Sequence, residues 1–143
     1  MENNMSNPKE FRAILDVAQK YFDAIYTGDT NLFAEIFHED ARLYCIGGGE
    51  YVTLGLEPYL EVVRNRITPA SRNAPRQDAV LSITIPTETT AHLRVSEVFL
   101  PKLFTDEITL LKQNGKWRIV SKVWDFEILD NEDILKIKTG EFR

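Results

Sequence analysis

The first regular pattern along the chain is an apolar stripe with the period of an α-helix. Apolar side chains recur three or four positions apart from Phe11 to Tyr26, which is the spacing of one buried helix face. Pro8 suits the first turn of such a helix, and Gly28 suits its end. The pattern therefore predicts a long first helix that packs this stripe against the rest of the protein.

Shorter elements follow this helix. The apolar spacing after Gly28 predicts a short second helix, and the patterns at 41–46 and 51–54 predict two strands joined by the glycines at 47–49. The glycine run lacks the lysine and the following helix of a phosphate-binding loop, so a hairpin turn is favoured over a phosphate site. Pro58 then suits the first turn of a third helix.

The second half of the chain has the character of a β-sheet. Residues 79–86, 90–99, 103–113 and 116–126 form four runs rich in β-branched and apolar residues. Asn114-Gly115 separates the last two runs, and it is the strongest short signal for a two-residue hairpin turn. Helices followed by an antiparallel sheet predict the α+β class.

A polar stretch at 68–78 lies between the third helix and this sheet, and it contains two prolines. Arg64, Arg66, Arg72 and Arg76 make the region locally basic. A solvated loop is favoured over an anion site at these arginines.

Composition narrows the possible functions. The chain has 143 residues, with 22 acidic against 17 basic side chains and a net charge of −5, which argues against a nucleic-acid partner. No apolar run has the length of a membrane helix, and the first residues do not resemble a secretory signal, so we expect a cytoplasmic protein without a membrane partner. One cysteine, Cys45, and two histidines, His38 and His92, predict neither a metal site nor a cofactor.

Several motifs resemble the lumazine-binding branch of the nuclear-transport-factor-2-like superfamily, which is distantly similar to ketosteroid isomerases and polyketide cyclases. They lie at residues 21–29, 37–41, 104–106, 110–112, 115–120 and 122–124. The resemblance implies a cystatin-like cone, in which three N-terminal helices pack in a curved antiparallel sheet. It divides the chain into a flexible tail at 1–10, a single cone-shaped domain at 11–127 and a C-terminal extension at 128–143.

The Asn114-Gly115 turn predicts which side chains of the last two strands share a face. A regular two-residue hairpin pairs Glu107 with Lys122, and these two then share one side with Thr105, Thr109, Val120 and Trp124. The opposite side receives Phe104, Asp106, Ile108, Leu110, Ile119, Ser121 and Val123. A slip of one residue would exchange the two sets.

The resemblance to ketosteroid isomerases favours the first set as the concave one. It matches Tyr21 to a helix tyrosine and Glu107 to a protonated strand acid, the two groups of that enzyme's oxyanion hole. The position of the isomerase's general base holds Cys45, so steroid isomerisation is not expected. The implied ligand-binding set is Tyr21, Cys45, Glu107, Val120, Lys122 and Trp124.

Two functions remain open for this pocket, which lies between the first helix and the concave sheet face. The first is binding of a small planar molecule, with a pteridine suggested by the family label. The alternative is a metal-independent isomerase, dehydratase or cyclase that uses Glu107 and Tyr21 for acid–base chemistry. Tyr21 could instead be a core residue, and Glu107 with Lys122 could be an exposed cross-strand pair.

The apolar set on the opposite side of the hairpin also predicts a partner. Phe104, Ile108, Leu110, Ile119 and Val123 would form an outer face that is too apolar to leave in water. We therefore expect a homodimer through the outer sheet face, with the segment at 130–143 as an alternative cover.

Overall fold

The computed structural model describes residues 7–142, which form four helices and one six-stranded sheet. The helices are α1 Pro8–Thr27, α2 Thr30–Ile36, α3 Leu56–Asn65 and α4 Asn131–Thr139. The strands are β1 Phe37–Cys45, β2 Val52–Gly55, β3 Asp78–Thr84, β4 Thr90–Phe99, β5 Lys102–Gln113 and β6 Lys116–Ile128. The α+β class is confirmed.

Both ends of helix α1 are formed by residues that favour helix termini. The Asn7 side chain accepts a hydrogen bond from the Glu10 backbone N–H at 3.4 Å, and Pro8 occupies the first turn. Gly28 ends the helix in the left-handed conformation, with φ of 73°. Because the helix begins at Pro8, three residues of the predicted tail at 1–10 belong to it. Residues 1–6 of that tail lie outside the described residues.

The strands form one sheet in the order β2-β1-β6-β5-β4-β3. Strands β3 to β6 form an antiparallel meander, and β1 pairs antiparallel with β2. However, β6 closes against β1 in a parallel pair, so the prediction of a wholly antiparallel sheet is wrong at this one contact. Strand β1 enters from the helical layer, whereas β6 arrives from the meander, and the two therefore run in the same direction.

The core lies between the inner face of this sheet and the first three helices. It includes Ile14, Tyr21 and Phe22 of α1 together with Leu93 of β4 and Ile119 of β6. Full burial of a large apolar side chain contributes roughly 1.5–3 kcal/mol, so this layer supplies the main driving force for folding. Within residues 7–142, no helix combines the length and the apolar character needed to cross a membrane.

A second, smaller cluster involves the C-terminal segment. Helix α4 brings Ile137 against Val98 and Leu103, and Leu129 and Phe142 join the same cluster. The described part of the predicted extension, residues 128–142, therefore packs on the sheet through its own helix.

The hairpin between β5 and β6 contains a β-bulge that changes which side chains face the core. Its first four pairs, from Gln113–Lys116 to Leu110–Ile119, follow the predicted register. Thr109 then pairs with Ser121, so Val120 is an extra residue on β6. Beyond this point Glu107 pairs with Val123 rather than with Lys122.

The bulge explains why Lys122 and Trp124 share a face with Asp106 rather than with Glu107, and the choice of the Glu107 face as the concave one is wrong. Phe104, Asp106, Ile108, Leu110 and Ile119, expected outside, lie on the inner face; four of them are fully or almost fully buried. Because β6 gains one residue, Lys122 and Trp124 remain on that same inner face.

The expected homodimer was argued from an apolar outer face, and most of the residues of that face lie on the inner face instead. Of the apolar residues invoked for it, Val123 stays on the outer face, where it is 46% exposed. The homodimer remains a prediction.

Candidate functional site

A cavity of about 100 Å³ opens between α1, α3 and the inner face of the sheet. Its walls come from α1, α3 and four of the six strands. The lining residues are Ile25, Leu54, Tyr59, Val62, Arg66, Glu97, Phe99, Phe104, Lys122 and Trp124. Aromatic and aliphatic walls with a few convergent polar groups are typical of a small-molecule site.

Lys122 is the buried cation of this cavity, with 4% of its surface exposed. Its Nζ donates a hydrogen bond to the Tyr59 hydroxyl at 3.2 Å. The same ammonium lies 5.0–5.1 Å from the ring centroids of Tyr21, Tyr59 and Trp124, which is within the range of cation–π attraction. These rings partly replace the water that the ammonium loses on burial.

The protonation state of Lys122 follows from two opposing effects. Burial disfavours the ammonium, but the acidic neighbours Tyr59, Asp106 and Glu97 outweigh burial and raise the pKa of Lys122 above its ordinary value. Lys122 is therefore a cation at neutral pH. An ammonium carries three donors, so the bond to Tyr59 leaves two that can be directed at a ligand.

Two carboxyl groups lie beside this cation. Asp106 of β5 is fully buried and its Oδ2 accepts a hydrogen bond of 2.5 Å from the Tyr21 hydroxyl. Burial, followed by the charge of Asp106, raises the pKa of Tyr21 well above its ordinary value, so Tyr21 is neutral and acts as the donor.

Glu97 of β4 is the second carboxyl group, and it lies within hydrogen-bonding reach of Asp106. Burial, followed by the charge of Asp106, raises the pKa of Glu97 well above its ordinary value. Glu97 Oε2 and Asp106 Oδ1 are both buried without a donor. Protonation of Glu97, which this raised pKa favours, would give the pair the donor that it lacks.

Arg66 brings a second cation to the cavity. It directly follows α3, and its guanidinium carbon lies 5.7 Å from the centroid of the Phe99 ring. Its Nε and Nη2 atoms are buried and have no hydrogen-bond partner among residues 7–142. Of the four arginines in the basic stretch, Arg66 lines the cavity, whereas Arg64 pairs with Glu57 and Glu61 on the surface of α3.

The structure separates the predicted site residues. Lys122 and Trp124 line the cavity, and Tyr21 lies behind it through its bond to Asp106. Cys45 is buried in β1 beside Trp124, but its Sγ accepts the Gly47 backbone N–H at 3.0 Å and it does not line the cavity.

The remaining two predicted residues, Val120 and Glu107, do not belong to the cavity. Val120 is the extra residue of the β-bulge. Glu107 lies on the outer face, where it binds Arg94 Nε at 2.8 Å and His92 Nε2 at 3.0 Å. The assignment of Glu107 to the pocket is therefore wrong, because Glu107 lies between the buried Asp106 and Ile108 and so points to the opposite face of β5; the bulge gives it Val123 as its cross-strand partner.

Sequence reasoning missed Glu97 and Tyr59 and placed Asp106 on the wrong face. A signal for Glu97 was present, because it occupies the same alternating phase of β4 as the buried Leu93 and Val95. A carboxylate in an otherwise apolar phase indicates a buried polar site. Asp106 carried the same signal, because it occupies the alternating phase of β5 that holds the buried Ile108 and Leu110.

The family is decided by a match over most of the chain. Residues 9–125 match the model of the family described as "Putative lumazine-binding". The chain belongs to this lumazine-binding family. The family lies within the nuclear-transport-factor-2-like superfamily, so the resemblance expected from the motifs is confirmed.

Comparisons with individual proteins agree with the fold. The chain is 27% identical over 117 residues to the aldolase FrzH of Cladobotryum sp., covering 80% of this chain and 90% of that relative. A nuclear-transport-factor-2-like protein of unknown function from Shewanella baltica superposes with a TM-score of 0.74 at 25% identity, covering 83% of this chain and 94% of that chain. A cystatin-like fold protein from Burkholderia xenovorans gives 0.71 at 16% identity, with coverages of 91% and 99%.

Proposed function

We propose that this member of the lumazine-binding family binds a small organic molecule with a flat, largely apolar body in the cavity above Lys122. The observation that carries the proposal is a buried ammonium that uses one of its three donors on Tyr59 and faces a cavity with mostly aromatic and aliphatic walls. Burying a cation is costly unless it is paired, so an acceptor supplied by a ligand completes its coordination.

The size of the cavity limits the ligand. An engineered apolar cavity of about 150 Å³ admits benzene, so about 100 Å³ suits a body of one ring rather than a steroid. Phe99, Phe104 and Trp124 supply flat contact surfaces, and Lys122 donates to a carbonyl or enolate oxygen of the ligand. A fused pteridine ring would require the walls to move apart.

Native mass spectrometry tests this function, with and without millimolar benzamide as a one-ring carbonyl probe. We expect the wild type to carry an added mass, either co-purified or from benzamide. Lys122→Met should weaken binding about 10- to 100-fold, because it removes a charged donor. Lys116→Met is the matched control, since Lys116 is an exposed lysine at the start of the same strand. Wild-type protein that carries no added mass with either benzamide or benzoate would contradict the proposal.

An acid–base enzyme is the second candidate, and the buried Glu97 carboxyl group, with its raised pKa, beside the Lys122 cation favours it. The similarity to an aldolase suggests a matching chemistry. In aldol-type cleavage the electrons of the breaking C–C bond move to a carbonyl group, and its oxygen becomes an enolate. Lys122 would stabilise that negative charge. The carboxyl pair of Glu97 and Asp106 would accept the proton of the β-hydroxyl group as its oxygen becomes the aldehyde carbonyl, and Glu97 would then donate a proton to the enolate carbon, which returns the pair to its starting state.

The protonation state of Lys122 distinguishes this acid–base chemistry from a route through a Schiff base. Covalent attack needs a neutral amine, whereas the pKa of Lys122 is raised by its acidic neighbours. Lys122 is therefore an electrostatic group rather than a nucleophile.

Aldehyde release from a panel of small β-hydroxy ketones tests the enzymatic candidate. Glu97→Gln should abolish most of the turnover, since general acid–base catalysis contributes about 10²- to 10⁴-fold. Glu107→Gln on the outer face should leave turnover unchanged. Equal turnover in the Glu97→Gln and wild-type proteins would remove Glu97 from the reaction.

A further inference from the structure

We infer that Arg66 forms a carboxylate-binding subsite, so that the ligand of this cavity carries a carboxylate group on a one-ring body. This inference rests on the proposed binding function and adds the chemical class of the ligand.

The first argument is the missing acceptor of Arg66. Its Nε and Nη2 atoms lie side by side on the guanidinium group, and both are buried without a partner among residues 7–142. Two neighbouring N–H groups in this arrangement match the two oxygens of a carboxylate. A guanidinium does not lose its proton in proteins, so a pKa shift cannot relieve the cost of burying it.

The second argument is the charge balance around the cavity. Lys122 lies beside the carboxyl groups of Asp106 and Glu97, which raise its pKa. No salt bridge joins Arg66 to a carboxylate of the described residues. Arg66 is therefore the cation of the lining that has no acidic partner, and a carboxylate group on the ligand supplies one.

The third argument comes from the other arginines of the same stretch. Arg64 lies two residues away on α3 and pairs with Glu61 at 3.1 Å. Arg76 binds Asp23 at 2.5 Å and Asp78 at 2.8 Å. A buried guanidinium without a partner therefore distinguishes the arginine that lines the cavity from Arg64 and Arg76. The ring of Phe99 below its guanidinium keeps this plane in place for a ligand.

Paired probes test the subsite. Benzoate and benzamide have nearly the same shape and differ in charge, and binding of each to the wild type is followed by calorimetry. We expect benzoate to bind at least about tenfold more tightly than benzamide, as a charged hydrogen-bonded pair requires. Arg66→Met should remove this preference, and Arg66→Lys should keep part of it because lysine retains the charge without the planar fork. Arg64→Met, the matched control, should leave the preference unchanged.

The melting temperature of the ligand-free protein gives an independent readout. Arg66→Met removes an unpaired buried cation, so we expect a melting temperature equal to or higher than that of the wild type. If Arg66 stabilised the fold instead, Arg66→Met would lower the melting temperature. A clear loss of stability with unchanged benzoate binding would overturn the inference. Equal binding of benzoate and benzamide to the wild type would overturn the carboxylate subsite alone. Failure of both probes to bind would overturn the proposed binding function together with the subsite.

Discussion

Replacing Tyr21 with phenylalanine would test the buried network behind the cavity by removing a single oxygen atom. The Tyr21 ring is fully buried and packs edge-on against Phe33, with a centroid distance of 6.4 Å. Phenylalanine preserves that packing. What disappears is the 2.5 Å hydrogen bond to Asp106 Oδ2, which leaves a buried carboxylate without this donor.

The expected cost follows from the charge of the acceptor. A hydrogen bond to a charged group contributes about 1.5–3 kcal/mol, and the full burial of Asp106 places this bond near the upper end. We therefore expect Tyr21→Phe to lower the free energy of unfolding by about 2–3 kcal/mol. With an unfolding entropy of about 0.3 kcal/mol/K for a chain of this length, the melting temperature should fall by about 7–10 °C.

Urea unfolding followed by circular dichroism measures this loss. Tyr51→Phe is the control, because Tyr51 is 64% exposed and should change stability by less than about 0.5 kcal/mol. A similarly small loss in Tyr21→Phe would refute the reasoning. It would mean that the carboxylate of Asp106 finds another donor or does not carry a charge in the folded protein.

Three further predictions concern other parts of the fold. The hydrogen bond from Lys112, together with the one from Trp117, holds the pKa of Glu10 below its ordinary value. The ionised Glu10 therefore stabilises the folded protein at neutral pH, and this contribution is lost as the pH falls through the lowered pKa. Glu10→Gln should therefore cost about 1–3 kcal/mol at pH 7 and flatten the acid limb of a pH–stability curve. Ile137→Ala should cost about 2–4 kcal/mol in urea unfolding, because it opens the cluster under α4. If the expected homodimer forms through the outer face, Val123→Glu should convert it to a monomer in sedimentation velocity; a monomeric wild type would contradict the dimer.

The fold could be predicted from the sequence largely because its signals are local. The apolar stripe of α1, the Gly28 end and the Asn114-Gly115 turn each depend on residues close together in the chain. The parallel contact between β1 and β6 could not be predicted from such patterns, since it joins strands separated by most of the sequence. The resemblance to a known family supplied the cone, but not this pairing.

The site was predicted less completely because its chemistry depends on strand register. Lys122 and Trp124 were placed on the correct face, although the reason given, a regular pairing with Glu107, was wrong. The sequence does not mark Val120 as an extra residue, since no glycine or proline accompanies it. Arg66 was recognised as part of a basic stretch, but its missing partner is a property of three-dimensional packing.

The extra residue on β6 also determines how the chain tolerates a change in length. Deleting Val120 would leave Ile119 and Lys122 two positions apart, so regular alternation alone would still direct both toward the helices. Val123 is not an extra residue of a bulge. Its deletion would therefore turn Trp124 outward unless the bulge moved along the strand. A gap in an alignment of relatives therefore has a different meaning at these two neighbouring positions. A gap at Val120 removes the bulge and straightens β6. A gap at Val123 turns Trp124 outward and so changes one wall of the cavity.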